Sequence, residues 1–311
     1  MPENDTAPSP AVRSRRSGIL LIDKPAGFTS HDVVARTRRL AGTRKVGHAG
    51  TLDPMATGLL ILGLNSSTRL LTYLVGLDKE YLATIRLGSS TSTDDAEGEP
   101  TGSAHPDAVA AITDAALREQ LAHLTGAIQQ VPSSVSAIKV DGRRAYARVR
   151  AGEDFELPAR PVTVFAFEAL DQRRTSDHLD LDVRVACSSG TYVRALARDL
   201  GAALGVGGHL VALRRTRIGP FRVADAAALD DLDVTARLLD PAAVASALFP
   251  SVTLSPAQVV DLVHGKKISV PDLAAGPVAA LAPDGRLVGL VTVLDGTAKP
   301  LANFPADEVL P

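Results

Sequence analysis

Hydrophobic and polar positions follow two periods along this chain, one of a strand and one of a helix. GILLIDKP, Gly18 to Pro25, is a short apolar run closed by a proline and predicts a buried strand. In HDVVARTRRLAG, Val33, Val34, Thr37 and Leu40 share one face at helical spacing and the arginines take the other, so a helix is predicted with Ser30 as its cap and Gly42 as its stop. ATGLLILGL is apolar enough to be buried, and EYLATIRLGSS reads as a strand. It runs into STSTDDAEGEPTGSAHPD, which is polar and turn-rich and predicts a surface loop; Thr113 then opens a helix through LREQLAHLTG. LDLDVRVAC alternates Leu179, Leu181, Val183 and Val185 against Asp180, Asp182 and Arg184, the pattern of a half-buried strand. It ends in the turn SSG, and TYVRALARDLGAALG is a helix. Further on, Ser255 caps PAQVVDLVHG, Gly265 ends it, and PVAALAPDGRLVGLVTVL predicts two strands joined at a Pro-Asp-Gly turn. Strands and helices interleave without regular crossover units, which predicts an α+β fold with a mixed or antiparallel sheet.

At 311 residues, 45% hydrophobic and 22% charged, the chain has room for one large domain and a small second one. A single cysteine, Cys187, excludes an intrachain disulfide and a cysteine-based zinc cluster. No run approaches the roughly 18 apolar residues of a membrane span, and residues 1–17 lack the apolar core of a signal peptide, so they are expected to form a disordered, partly basic arm on a cytoplasmic protein. No P-loop, glycine-rich nucleotide loop or internal repeat is present.

The net charge of -2 hides a segregation of sign. Residues 11–50 hold nine Lys/Arg against Asp23 and Asp32, whereas from residue 225 onward eleven acids oppose five bases. Two further basic stretches carry Lys139, Arg143, Arg144, Arg148 and Arg150, then Arg214, Arg215, Arg217 and Arg222. Any one cluster is equally well a solvated helix face, but three of them on a chain with an acidic remainder favour a face for a nucleic acid.

The stretch GHAGTLDPMATG, Gly47 to Gly58, is shaped to present a side chain. Three glycines open backbone regions closed to other residues, Pro54 fixes its own φ and pushes Asp53 toward an extended conformation, and Asp53 and His48 are the polar groups left. Asp-Pro is also a common turn and helix-capping dipeptide, and this loop alone leaves both readings open.

In order, LIDKPAGFTSHDVV, GHAGTLDPMATG, KEYLATIRLG, VPSSVSAIKVDGRRAYARVR and CSSGTYVRALARDLG resemble the TruB family of tRNA pseudouridine synthases, over about Gly18 to Phe221. The resemblance implies the pseudouridine synthase fold over 18–249, preceded by the 1–17 arm and followed by a small β-rich, PUA-like module over 250–311. It implies isomerisation of uridine 55 in the T-loop of tRNA by base flipping, with no cofactor and no metal. By position, Asp53 matches the family's catalytic aspartate, Tyr81 the catalytic tyrosine that stacks on the flipped base and can take part in proton removal, and Arg194 the catalytic arginine that pairs with the aspartate. His48 matches a residue that fills the place of the extruded nucleotide, and Tyr192 and Leu213 match residues that line the uracil pocket. Lys24 and Pro25 match a supporting loop. Residues 126–152, with Lys139, Arg143, Arg144 and Arg148, match a thumb that closes on the RNA stem-loop. The 250–311 segment departs from expectation in being acidic, with Lys266 and Lys267 as its obvious phosphate contacts.

Two other classes compete: a non-catalytic RNA-binding protein on the same scaffold, and the archaeal and eukaryotic relative that works in a guide-RNA particle. Intact Asp53, Tyr81 and Arg194 oppose the first. The absence of lysine-rich tails and the compact C-terminal module favour a stand-alone bacterial form over the second, a monomer that takes tRNA without guide RNA.

Overall fold

A computed structural model describes residues 16–133, 139–140, 143–144, 157–271, 273 and 276–306. Among them a mixed sheet runs in the order Ala227–Ala228, Gly18–Lys24, Thr57–Leu64, Gly208–Ile218, Lys79–Leu87, Leu179–Cys187, Arg160–Arg174 and Gly126–Gln130. Val46–Ala49 adds to Thr57–Leu64, and Phe221–Arg222 to Gly208–Ile218. Two junctions are parallel, Gly18–Lys24 with Ala227–Ala228 and Thr57–Leu64 with Gly208–Ile218; the others are antiparallel.

The strands split by environment as their sequences dictate. Thr57–Leu64 is buried from Gly58 to Leu64 because both faces of the sheet are covered there. Lys79–Leu87 alternates, with Lys79, Tyr81, Ala83, Ile85 and Leu87 buried. The parallel junction needs a glycine at its centre: a Cβ on Gly58, at φ +98°, would lie 2.3 Å from the Arg215 carbonyl oxygen.

The first helix, Ser30–Leu40, departs from expectation at both ends. Its cap is Thr29, because Asp32 stands three residues after Thr29: the Thr29 hydroxyl accepts from the Asp32 N–H, and the Asp32 carboxylate accepts from the Thr29 N–H at 2.9 Å. Leu40, expected to face inward, is 50% exposed, since Ala41, four residues after Thr37, takes the inward place instead. The helix stops at Gly42, which takes φ +60°.

The expected surface loop after Leu87 also differs. It contains paired strands Ser89–Thr91 and Pro100–Ser103, and between them the chain turns Asp95 into the core at 2% exposure. An isolated bridge from Asp95 to Leu210 anchors that excursion against the main sheet.

The C-terminal module is a second sheet, in the order Ser251–Thr253, Pro277–Leu281, Leu287–Leu294, Thr297–Asn303 and Ile268–Ser269. The helix Pro256–Val263 begins at Ser255 with a capping box to Gln258, and the Pro-Asp-Gly turn joins the two central strands as expected. Three of its strands, Ser251–Thr253, Ile268–Ser269 and Thr297–Asn303, go beyond the two expected. The module is also no loose appendage: Ala279, Leu287, Leu290 and Phe304 share a buried cluster with Ile19, Leu21, Leu59 and Ile61 of the main sheet.

Candidate active site

Asp53 lies at the rim of a cavity of about 300 Å³, with 35% of its side chain exposed. Its loop is held from three sides. Lys24, fully buried, directs Nζ at the carbonyls of Pro25 (2.9 Å), Phe28 (2.6 Å) and Pro54 (3.2 Å), so all three ammonium donors have acceptors. Burial brings its pKa down to about 8, while Asp53 and Glu97 nearby favour the charged form. Ser30 grips the backbone of Leu52 in both directions, accepting its N–H at 2.9 Å and donating to its carbonyl at 3.1 Å. Arg215, 1% exposed, donates to the carbonyls of Leu59 (2.7 Å), Gly50 (3.1 Å) and Thr51 (3.4 Å).

Across the cavity stands Arg194. The helix Val193–Ala203 presents a strongly apolar buried face, Val193, Ala195, Leu196, Ala197 and Leu200, and Arg194 is buried among them at 6% exposure. Its Nε meets Asp53 Oδ2 at 3.1 Å; its Nη1 meets Asp95 Oδ2 at 3.0 Å and the Thr93 carbonyl at 3.0 Å. One guanidinium therefore bridges two carboxylates. Burial raises the pKa of Asp53 above the ordinary carboxylate range; Arg194 pulls it back, Asp95 pushes it up, and Lys24 and Arg215 pull it down.

Tyr81 is on the central strand, directly across from Arg215 on one neighbour and Val185 on the other. Burial raises its pKa although the neighbouring Arg215 favours its ionised form, so the phenol is protonated at neutral pH. Leu213, opposite Ala83, and Tyr192, the N-cap of the Arg194 helix, line the same cavity, as do Lys79 and Ser188 to Thr191. Lys79 donates to the Val75 carbonyl at 2.6 Å and to the Leu77 carbonyl, and burial lowers its pKa to about 8.

Asp53, Tyr81, Arg194, Tyr192 and Leu213 thus surround one cavity. His48 is beside it, on the strand Val46–Ala49, not among its walls. Its ring meets that of His31 edge-on, centroids 5.4 Å apart, and its Nδ1 is buried without a hydrogen-bond partner among the described residues. Burial, then the charge of His31, lowers its pKa, which leaves the ring neutral at pH 7.

Three arginines of the third basic stretch are not the open face expected of them, whereas Arg222 is exposed. Arg214 pairs with Asp23 at 2.7 Å, Arg215 is in the core, and Arg217 pairs with Asp78 at 2.8 Å, so internal acceptors use these guanidinium groups. Lys139 and Arg144, Val140 and Arg143 pair as two short antiparallel strands. Arg148 and most of the expected thumb lie outside the described residues, as do residues 1–15 of the arm. Three site residues were missed by sequence reasoning: Asp95, hidden in a polar run; Arg215, counted with the surface arginines; and Gln130, whose side-chain amide bonds the Tyr192 backbone.

Comparison with known proteins identifies the family. Residues 38–193 match the model described as "TruB family pseudouridylate synthase (N terminal domain)", residues 194–252 "tRNA pseudouridylate synthase B C-terminal domain", and residues 249–305 "tRNA Pseudouridine synthase II, C terminal". A protein of Leifsonia xyli subsp. xyli named tRNA pseudouridine synthase B is 62% identical over 94% of this chain and 98% of its own length. One of Arthrobacter sp. with the same name is 56% identical over 94% of this chain and 98% of its own. The fold recurs, with a TM-score of 0.70 and 24% identity over 96% of this chain and 88% of the other, in a solved structure described as "Structure of H/ACA RNP bound to a substrate RNA containing 2'-deoxyuridine". With relatives this similar over nearly its whole length and a family model spanning half of it, the chain belongs to the TruB family of pseudouridylate synthases.

Proposed function

We infer that this chain is a tRNA pseudouridine synthase that converts uridine 55 of the T-loop, acting as a single protein in the cytoplasm and without guide RNA. The observation that carries the reading is the cavity in which a partly exposed carboxylate, Asp53, is held by a buried arginine opposite a tyrosine face. The isomerisation breaks the N1–C1′ bond, turns the base, joins C5 to C1′, and moves a proton from C5 to N1. A group beside C1′ and C2′ is required, and an ionised carboxylate serves either as nucleophile at C1′ or as base at C2′. Asp53 takes that role, and Arg194 keeps it ionised and oriented.

A uridine inside a folded T-loop is out of reach, so the reaction requires its extrusion, at a cost of a few kcal/mol. Tyr81, Tyr192 and Leu213 then receive the base by ring contact and apolar packing. Because its phenol is protonated, Tyr81 contributes a stacking face and a hydrogen bond rather than an ionised base. The neutral ring of His48 suits the space left in the RNA. Lys139, Arg143, Arg144 and Arg148, with the PUA-like module over 250–311, supply backbone contacts outside the cavity.

The guide-RNA reading draws on the shared fold alone, whereas relatives at 62% and 56% identity carry the tRNA enzyme's name. The test is release of tritium from C5-labelled uridine in an isolated T-stem-loop by the purified chain alone. Turnover is expected without added RNA or protein, and Asp53→Asn should abolish it while stem-loop affinity stays close to wild type. Turnover by Asp53→Asn at a wild-type rate would make the loop a mere capping turn.

A further inference from the structure

A tyrosine is a poor residue for the start of a helix. Cap positions favour Ser, Thr, Asp or Asn, whose side-chain oxygens take up free backbone N–H groups. Tyr192 nevertheless caps Val193–Ala203, with no side-chain cap bond of its own, and its ring is used in the cavity wall. The backbone there is held from outside. Gln130, the last residue of the strand Gly126–Gln130 and 1% exposed, accepts the Tyr192 N–H on Oε1 at 2.8 Å and donates Nε2 to the Tyr192 carbonyl at 3.0 Å. One carboxamide thus reads both backbone groups of one residue, as an adjoining strand would. One helical turn beyond Arg194, Arg198 donates to the carbonyl of Val131, the residue after Gln130, at 2.7 Å. Gln130 does not itself line the cavity.

We propose that Gln130 is a positioning residue of this active site: its carboxamide fixes the Tyr192 backbone, and through the first turn of the helix sets the Tyr192 ring and the Arg194 guanidinium against Asp53. The proposal rests on the pseudouridine synthase reading above. A residue that must present an aromatic ring at a helix start cannot also be a capping residue, and its own backbone is held instead from a neighbouring strand. Only a primary amide does this: a carboxylate lacks the donor for the Tyr192 carbonyl, and a thioether lacks both bonds.

Gln130→Met keeps the length and apolar volume and removes both bonds. Gln172→Met, the same change at an exposed position of the adjacent strand Arg160–Arg174 and outside the thumb, is the control. In Gln130→Met, amide hydrogen exchange over Tyr192 to Leu196 should quicken by about fivefold or more, as for loss of one hydrogen bond. On the T-stem-loop kcat should fall about 10- to 100-fold, the cost of a misplacement near 1 Å, with KM changed less than about threefold. The acid limb of the rate profile should move to higher pH: of the charged groups near Asp53, namely Arg194, Asp95, Lys24, Arg215 and Glu97, it is Arg194 that the clasp sets in place. Gln130→Glu keeps the acceptor and loses the donor; it should fall between, and it carries the comparison if Gln130→Met does not fold. Unchanged exchange would show that the clasp is absent. Quickened exchange with wild-type kcat and an unmoved acid limb would reduce Gln130 to a structural strut; either result overturns the proposal. A wild-type chain that makes no pseudouridine would overturn the functional reading and the catalytic half of the proposal with it, while the exchange measurement still decides whether the clasp exists.

Discussion

Asp95→Asn removes one charge from the bridge that holds the candidate catalytic aspartate and leaves its shape intact. The Asp95 carboxylate has two oxygens and three donors to satisfy: Oδ2 takes Arg194 Nη1 at 3.0 Å, and Oδ1 takes the Glu97 N–H at 3.1 Å together with the Thr93 hydroxyl. An asparagine offers one oxygen, so its NH2 group must face either the guanidinium or the Glu97 N–H, donor against donor. Breaking a buried ion pair from one side costs about 3–5 kcal/mol. Arg194 retains Asp53 and the Thr93 carbonyl, which places this variant at the lower end, about 3 kcal/mol, or a fall in Tm of about 6 °C at roughly 2 °C per kcal/mol for a chain of this size. Catalysis should suffer more than binding. Asp95 is 2% exposed and out of reach of RNA, so stem-loop affinity should hold, while kcat drops about 10- to 100-fold as the guanidinium settles in a new position. The pH profile separates charge from geometry. Asp95 raises the pKa of Asp53, so if Arg194 keeps its contact, removing that negative charge moves the acid limb to lower pH; if Arg194 leaves Asp53, the limb moves the other way. Since the contacts of Arg194 with Asp53 and the Thr93 carbonyl survive, the expected shift is to lower pH. Stopped-assay rates from pH 4 to 8 and a thermal melt make the measurement. Unaltered kcat, limb and Tm would refute the argument and make Asp95 a spectator of the loop.

Two other outcomes follow from the same geometry. Arg194→Met withdraws the cation that offsets burial, so the Asp53 pKa climbs further above the carboxylate range and the acid limb of turnover should move to higher pH, with kcat lowered on the plateau as well; an unmoved limb would sever Arg194 from Asp53. Truncation at residue 250 should not give a well-folded enzyme with a raised KM, because Leu287, Leu290 and Phe304 bury about 1.5–3 kcal/mol each against the main sheet, a loss that approaches the whole stability of about 5–15 kcal/mol of a typical domain. A soluble truncated chain with an unchanged melt would contradict this.

What the sequence made legible, and what it hid, follows from how far each feature depends on distant partners. The Asp53 loop announces itself locally, since glycines and a proline around one carboxylate constrain the backbone whatever surrounds them. The alternation in Leu179–Cys187 likewise fixes which side chains turn inward. Thr29 and Ser30 are both good caps, and the choice rested on Asp32, which completes a box with the first and not the second. Gln129 and Gln130 cannot be told apart by type; only the strand's pairing with Arg160–Arg174 decides which one turns inward to meet Tyr192. Asp95 is the clearest case. Its neighbours are polar, so nothing nearby marks it as buried, and its partner is 99 residues away. Arg194, by contrast, is set in an apolar helix face, and a guanidinium buried there brings five donors that must find acceptors. Asp53, partly turned to the cavity, meets the Nε of that group. The helix pattern therefore required a further acceptor for Arg194, and what it left open was which of the chain's carboxylates the fold would carry there.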